Sequence, residues 1–353
     1  MLAVILAFPF EVAGISARSA VLMDCTTGTI LYSKDPDRQS LIASTTKIMT
    51  ALIVCECCNV LDRVSISNAA VGIEGSSIYL QSGEVLTVQE LLFGMMLHSG
   101  NDAAVALAIH CAGSVEEFVR MMNDKAMCLG LNNTHFANPH GLDEKDHYST
   151  ARDLGKLAVA ALNNPIFSKI VATKNVRAAG RELRNHNKLL WSFHGADGVK
   201  TGYTKSAGRI LVSSATRNGR QLVAVTIAAP DDWEDHTALL EMGFEKFTSR
   251  MIVARDTVLG KIEVAGGREK EVLLIAADDF LYAVNSDEQI KICLPDPGFV
   301  YAPVAAGQSA GYARIYLNDH WIGNAPIKFG KTIEMSEATK GKGRIRLFGG
   351  KTP

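Results

Sequence analysis

From Leu41 to Val54 the chain reads Leu41-Ile42-Ala43-Ser44-Thr45-Thr46-Lys47-Ile48-Met49-Thr50-Ala51-Leu52-Ile53-Val54, and Lys47 is the only charge in it. The run lacks Gly and Pro, so its pattern predicts a buried helix with Ser44 in the first turn. Residues three apart share a helix face, which brings Lys47 beneath Ser44. A lysine in apolar surroundings loses hydration and favours its neutral amine. Beside a hydroxyl, a neutral amine can take the proton and leave a serine nucleophile. Backbone N–H groups at the helix start would favour a developing oxyanion. The same residues also read as a capping serine followed by a lysine that snorkels to solvent. The rest of the chain decides between the two.

At 353 residues, 47% hydrophobic and 21% charged, the chain has the length and composition of a two-domain globular protein. Its net charge of -1 supplies no basic field for nucleic acid or an anionic membrane surface. The seven cysteines are odd in number and irregularly spaced, which argues against a disulfide framework. Cys55, Cys57 and Cys58 lack a second Cys or His pair at zinc spacing, so they read as core or surface thiols. The apolar start, Met1 to Phe10, is too short to span a bilayer as a helix. It reads as the core of a signal peptide over 1–17, incomplete because no Lys or Arg precedes it, with cleavage expected near Ala17; the alternative is a short N-terminal strand.

Two strands, Arg18 to Asp24 and Gly28 to Ser33, are expected to form a hairpin. Helices are expected from Thr87, with Glu90 completing a capping box, from Asp102 to Ala112, from Ser114 to Leu129 and from Thr150 to about Leu162. Arg209 to Ala215 and Gln221 to Ala228 read as strands joined by the turn Arg217-Asn218-Gly219-Arg220. Asp231 to Ser249 reads as a long helix with Asp231 or Asp232 as its cap. Short alternating segments follow, such as Glu271 to Ala276, Gln289 to Leu294, Ala313 to Leu317 and Ile322 to Ile327. They predict a β-rich second domain over 251–353, after a first domain over 18–250.

Two further short motifs fall at informative places. Ser99-Gly100-Asn101 sits at a helix–helix junction, and Lys200-Thr201-Gly202 on a strand after a Gly-rich turn. Each alone reads as a cap or a strand end. Ser-x-x-Lys, Ser-x-Asn and Lys-Thr-Gly in that order, on a helix start, an interhelix loop and a strand, carry far more weight together.

With these motifs the sequence resembles the penicillin-recognising serine enzymes, and more closely the low-molecular-mass penicillin-binding proteins, the serine D-Ala-D-Ala carboxypeptidases. Asn138-Pro139-His140-Gly141-Leu142, His147 to Leu154 and Gly198 to Thr204 are similar to that family's segments, and the resemblance runs from about Ala17 to Arg250. It implies an α/β (α+β) fold: a β-lactamase/transpeptidase-like catalytic domain with antiparallel sheet and helices, then a small β-rich C-terminal domain. It also implies roles: Ser44 as nucleophile, Lys47 as base, Ser99 as proton relay with Lys200 nearby, and Asn101 as substrate donor and support for Lys47. Lys200 and Thr201 would bind the terminal carboxylate, Gly202 would admit an extended substrate, and the N–H groups of Ser44 and Tyr203 would form the oxyanion hole. The implied partners are peptidoglycan pentapeptide and β-lactams, with no nucleic acid, no metal and no organic cofactor. A bacterial, extracytoplasmic location is implied, and peripheral membrane association is compatible with it.

Three other readings stay open on sequence: a β-lactamase of the same fold, a non-catalytic sensor of β-lactams or wall fragments, and a transpeptidase. The β-lactamase needs a deacylating glutamate. Glu182-Leu183-Arg184-Asn185 looks superficially right but lies at the wrong spacing, close before Lys200.

Overall fold

The computed structural model describes residues 14–285, 288–295 and 298–337. Most of the expected signal peptide, through residue 13, lies outside the described residues. The chain divides into two compact units between Phe247 and Thr248.

The first unit opens with β1 (Ser19–Asp24) and β2 (Ile30–Lys34), then a 3-10 turn at Ala43–Thr46 that runs into α1 (Lys47–Cys57). A small hairpin of β3 (Arg63–Ser65) and β4 (Val85–Thr87) leads to α2 (Val88–Leu97), α3 (Asn101–Ala112) and α4 (Val115–Cys128). After a long loop come α5 (Ala151–Leu162) and α6 (Pro165–Ala172), the hairpin of β5 (Asn175–Ala178) and β6 (Arg181–Arg184), and the single turn α7 (Leu189–Ser192). The strands β7 (Ala196–Thr204), β8 (Gly208–Arg217) and β9 (Arg220–Ile227) precede α8 (Asp232–Lys246).

Local chemistry sets these boundaries. Thr87 and Glu90 form the expected capping box, with the Glu90 amide donating to Thr87 Oγ1 and the Thr87 amide to Glu90 Oε2. Thr150 caps α5 through the Asp153 amide. Asn218 and Gly219 both take positive φ (52° and 78°), which suits the two-residue turn between β8 and β9. Two expectations shift. Asp231 occupies the N-cap of α8 but its side chain caps nothing; its amide donates to Ser16 Oγ, while the Asp232 carboxylate accepts from Arg209. The helix also stops at Lys246 rather than Ser249, because Phe247 is extended and the chain continues into a strand.

The five main strands form one antiparallel sheet in the order β2-β1-β9-β8-β7, so β7 is an edge. Its two faces are covered by different helices. A side chain at Gly155 of α5 would meet Met23 and Val21, whereas one at Gly243 of α8 would meet Leu22 and Leu222. Residues 21 and 23 point opposite to 22 on β1, so α5 and α8 lie on opposite faces. The main core fills the α5 side, where Ile48, Leu52, Leu91, Met95, Phe118 and Phe167 are fully buried. A sheet buried on both sides explains why β8 and β9 read as continuous apolar runs.

The second unit is built from β10 (Thr248–Val253), β11 (Val258–Ala265), β12 (Glu271–Ala276), β13 (Phe280–Val284), β14 (Ile290–Cys293), β15 (Phe299–Tyr301), β16 (Ser309–Leu317) and β17 (His320–Phe329). Six form a sheet in the order β14-β16-β17-β12-β11-β15, and β10 pairs with β13. The inward residues Val272, Leu274, Ala313, Ile315, Ala325 and Ile327 form its core. This unit is β-rich, as the alternating pattern predicts. All seven cysteines are free thiols; Cys55 is buried, Cys57 exposed and Cys58 half-buried.

Candidate active site

Ser44 sits in the 3-10 turn before α1, half-buried, with Lys47 completely buried one turn on. Lys47 Nζ has three polar neighbours: Ser44 Oγ at 3.0 Å, Asn101 Oδ1 at 2.7 Å and the His140 carbonyl oxygen at 2.6 Å. Burial holds the Lys47 pKa well below the usual lysine range; the nearby Lys200 lowers it further, and Asp102 opposes the shift. The side chain does not snorkel, so the competing reading of Ser-x-x-Lys falls away.

The nucleophile turn is braced from the loop that carries His140. Gly141 takes φ +91°, and a side chain there would stand 1.9 Å from the Ala43 carbonyl oxygen, so only glycine fits. Asn138 Oδ1 accepts from the Gly141 amide at 2.7 Å and its Nδ2 donates to the Leu142 carbonyl at 3.0 Å. Together they aim the His140 carbonyl at Lys47. His147 Nδ1 accepts from the Ala137 amide, so its proton sits on Nε2, which donates to Thr46 Oγ1 at 2.7 Å. Thr46 in turn donates to the Ala43 carbonyl. Burial holds His147 down at about 4, neutral in this role.

The second motif lies where α2 hands over to α3. Ser99 takes φ 63°, a left-handed conformation that a serine adopts at a cost, and its Oγ has no protein hydrogen-bond partner among the described residues. Asn101 is the first residue of α3, one earlier than expected. Its Nδ2 donates to the Glu74 carbonyl at 2.6 Å, which orients Oδ1 towards Lys47. Asp102, buried at the same helix start, accepts from Ser77 Oγ at 2.6 Å and from the amides of Ile78 and Leu80. It fixes the loop whose Ser76 carbonyl accepts from the Asn101 backbone amide at 2.7 Å.

The third motif lies on edge strand β7. Lys200 is buried, burial pulls its pKa down to about 7, and its Nζ donates to the Thr201 carbonyl at 3.0 Å. At Gly202 a Cβ would stand 3.3 Å from both the Ser44 amide nitrogen and the Ile42 carbonyl oxygen. The missing side chain lets β7 approach the nucleophile turn closely. Ser44, Ser76, Ser99, Thr201, Gly202 and Tyr203 line one cleft of about 310 Å³. Its far wall holds His186, Arg209, Asp232 and Trp233, with Arg209 paired to Asp232 and its guanidinium 5.7 Å from the Trp233 ring.

All eight sequence-predicted residues thus gather at one place: five line the cleft, Lys47 and Asn101 lie beneath Ser44, and Lys200 is buried on β7 close enough to depress Lys47. The sequence singles out Asn138 to Leu142 as family-like but assigns no role to Asn138, to the His140 carbonyl or to Asp102. Glu182 is far from this role. It is exposed on β6 and faces Arg177 at 3.7 Å.

A hydroxyl, a buried amine and an edge strand around one cleft define a serine hydrolase. Residues 7–231 match the D-alanyl-D-alanine carboxypeptidase family, and residues 247–335 match the penicillin-binding protein 5 C-terminal domain. D-alanyl-D-alanine carboxypeptidase DacF of Bacillus subtilis (strain 168) is 34% identical over 327 residues, covering 88% of this chain and 84% of that protein. DacD of Escherichia coli (strain K12) is 33% identical over 333 residues, covering 89% and 86%. The crystal structure of penicillin binding protein 5 from Haemophilus influenzae superimposes with a TM-score of 0.81 at 31% identity, covering 91% of this chain and 98% of that one. The chain belongs to the D-alanyl-D-alanine carboxypeptidase family.

Proposed function

We propose that the protein removes the terminal D-alanine from peptidoglycan pentapeptide stems through an acyl-Ser44 intermediate. The donor count at Lys47 supports this most. A neutral amine has two N–H bonds and one lone pair. Asn101 Oδ1 and the His140 carbonyl accept only, so they take the two N–H bonds. The lone pair is left for the third neighbour, the Ser44 hydroxyl. Ser44 Oγ attacks the carbonyl between the two D-alanines while its proton passes to Lys47. The N–H groups of Ser44 and Tyr203 stabilise the oxyanion. Ser99, with its hydroxyl free of protein partners, hands the proton to the leaving amine.

Lys200 and Thr201 receive the terminal carboxylate. That anion favours the charged form of a lysine otherwise pulled down to about 7, so binding restores the cation it needs. The extended peptide lies along the β7 edge, past Gly202. D-Alanine then diffuses away and water hydrolyses the ester. A β-lactam acylates Ser44 in the same way, but its leaving nitrogen stays tethered. This substrate implies an extracytoplasmic site of action, with or without peripheral membrane attachment. Among the described residues no helix is long and apolar enough to cross a membrane.

Intact-mass spectrometry after treatment with a fluorescent penicillin tests the reading. One penicilloyl group on Ser44, absent from Ser44→Ala, is expected. A label on another residue, or none on the wild type, overturns it.

A further inference from the structure

The second unit carries a cleft of about 650 Å³, the size of a small-ligand site, which the Ser44 chemistry does not use. Leu294, Tyr312, Arg314, Tyr316 and Asn324 line it. On β16 the side chains alternate: Ala313 and Ile315 are fully buried, so Tyr312, Arg314 and Tyr316 face outward. The register sets Arg314 opposite Asn324, and Tyr316 opposite Trp321, on the same outer face. Tyr312 is 60% exposed and Trp321 38%.

A purely structural face would bury such rings or pair such a cation. Among the described residues the Arg314 side chain has neither an ion-pair nor a hydrogen-bond partner. The Trp321 indole N–H donates to Asn324 Oδ1 at 3.1 Å. That bond takes one lone pair of the amide oxygen and orients the NH2 group as a donor. The cleft therefore offers a guanidinium fork and an amide NH2 between aromatic rings. Ring faces match the C–H faces of pyranose sugars, and the donors match hydroxyl, ring and acetamido oxygens. One lining cation on a chain of net charge -1 is a poor match for a polyphosphate.

We propose that this face binds N-acetylated amino-sugar glycan, the backbone of the polymer whose stems Ser44 trims; naming that polymer rests on the function proposed above. Holding the glycan raises the local concentration of stem peptides at the catalytic cleft.

The test uses the full chain with two probes: glycan strands freed of stem peptides, and a soluble N-acetylglucosamine oligomer. Saturable binding of both is expected, weakened roughly tenfold or more by Tyr312→Ala and by Arg314→Ala. Both residues are exposed, and unchanged penicillin labelling and melting temperature check that the variants fold. D-Alanine release from a soluble pentapeptide should be unchanged, while release from intact polymer falls several-fold. Absence of saturable glycan binding, or binding indifferent to both substitutions, overturns the proposal. So does binding that free phosphate competes away. Glycan binding without Ser44 labelling would instead sink the catalytic reading alone.

Discussion

Asn101 Oδ1 stands 2.7 Å from Lys47 Nζ, and Asn101 Nδ2 donates to the Glu74 carbonyl at 2.6 Å. The second motif thereby aims the amine of the first. An acceptor at this distance takes one amine hydrogen without adding charge. Burial can then keep Lys47 well below its usual pKa.

Replacing that neutral acceptor with a charged one reports on the amine. In Asn101→Asp the carboxylate would favour the lysinium, raising the Lys47 pKa. The acid limb of the acylation pH profile is expected to move to higher pH, and acylation at neutral pH to fall by roughly 10²-fold or more. An unshifted limb would contradict Lys47 as the titrating base.

Lys47→Arg keeps a cation but offers no neutral amine, because guanidinium stays protonated. Penicillin acylation should collapse while circular dichroism and cooperative unfolding persist. Acylation near the wild-type rate would remove Lys47 from the role of base.

Asp102 accepts from one hydroxyl and three backbone amides in a buried setting. Asp102→Ala leaves those donors unpaired and should destabilise the first unit by about 2–4 kcal/mol. Urea unfolding measures the loss. Because the loop it fixes meets the Asn101 amide, acylation should slow as well.

Acid should destabilise the protein before its carboxylates titrate. Burial holds His236 at about 3 and His147 at about 4 in the folded state. An unfolded histidine titrates near 6.5. Below that value the unfolded chain binds more protons, so stability is full above about pH 6.5 and declines as pH falls towards the folded values. Each histidine costs up to roughly 2 kcal/mol at pH 5. Melting temperatures between pH 7.5 and 5 should fall accordingly, and a flat profile would contradict neutral burial of both rings.

Much of this site was legible because its chemistry resides in side chains at fixed spacing. Lys47 stands out as the only charge in an apolar run, and Thr87, Glu90, Thr150 and Asn218-Gly219 announce their caps and turn locally. What escaped the sequence depends on the backbone or on distant neighbours. The His140 partner of Lys47 is a carbonyl, which every residue has, so no residue type signals it. Asp102 reads as an ordinary first-turn acid until the loop at 76–80 folds onto it. Helix α6, which is not among the expected elements, carries a legible signal in its Asn164 cap and Pro165 opening. The end of α8 at Lys246 rather than Ser249 reflects pairing of Thr248 and Ser249 with Val284 and Ala283 far along the chain.

Following two reactions on one preparation tests the central claim most directly: D-alanine release from a pentapeptide ending in D-Ala-D-Ala, and the lifetime of the penicilloyl-enzyme. Among the described residues none that lines the cleft is a glutamate that could place water against a tethered ester, and the Asp232 carboxylate there is engaged by Arg209. D-Alanine should therefore be released over many turnovers without cross-linked product, while the penicilloyl group stays on Ser44 for minutes or longer. Rapid multiple-turnover hydrolysis of penicillin without D-alanine release would contradict the account.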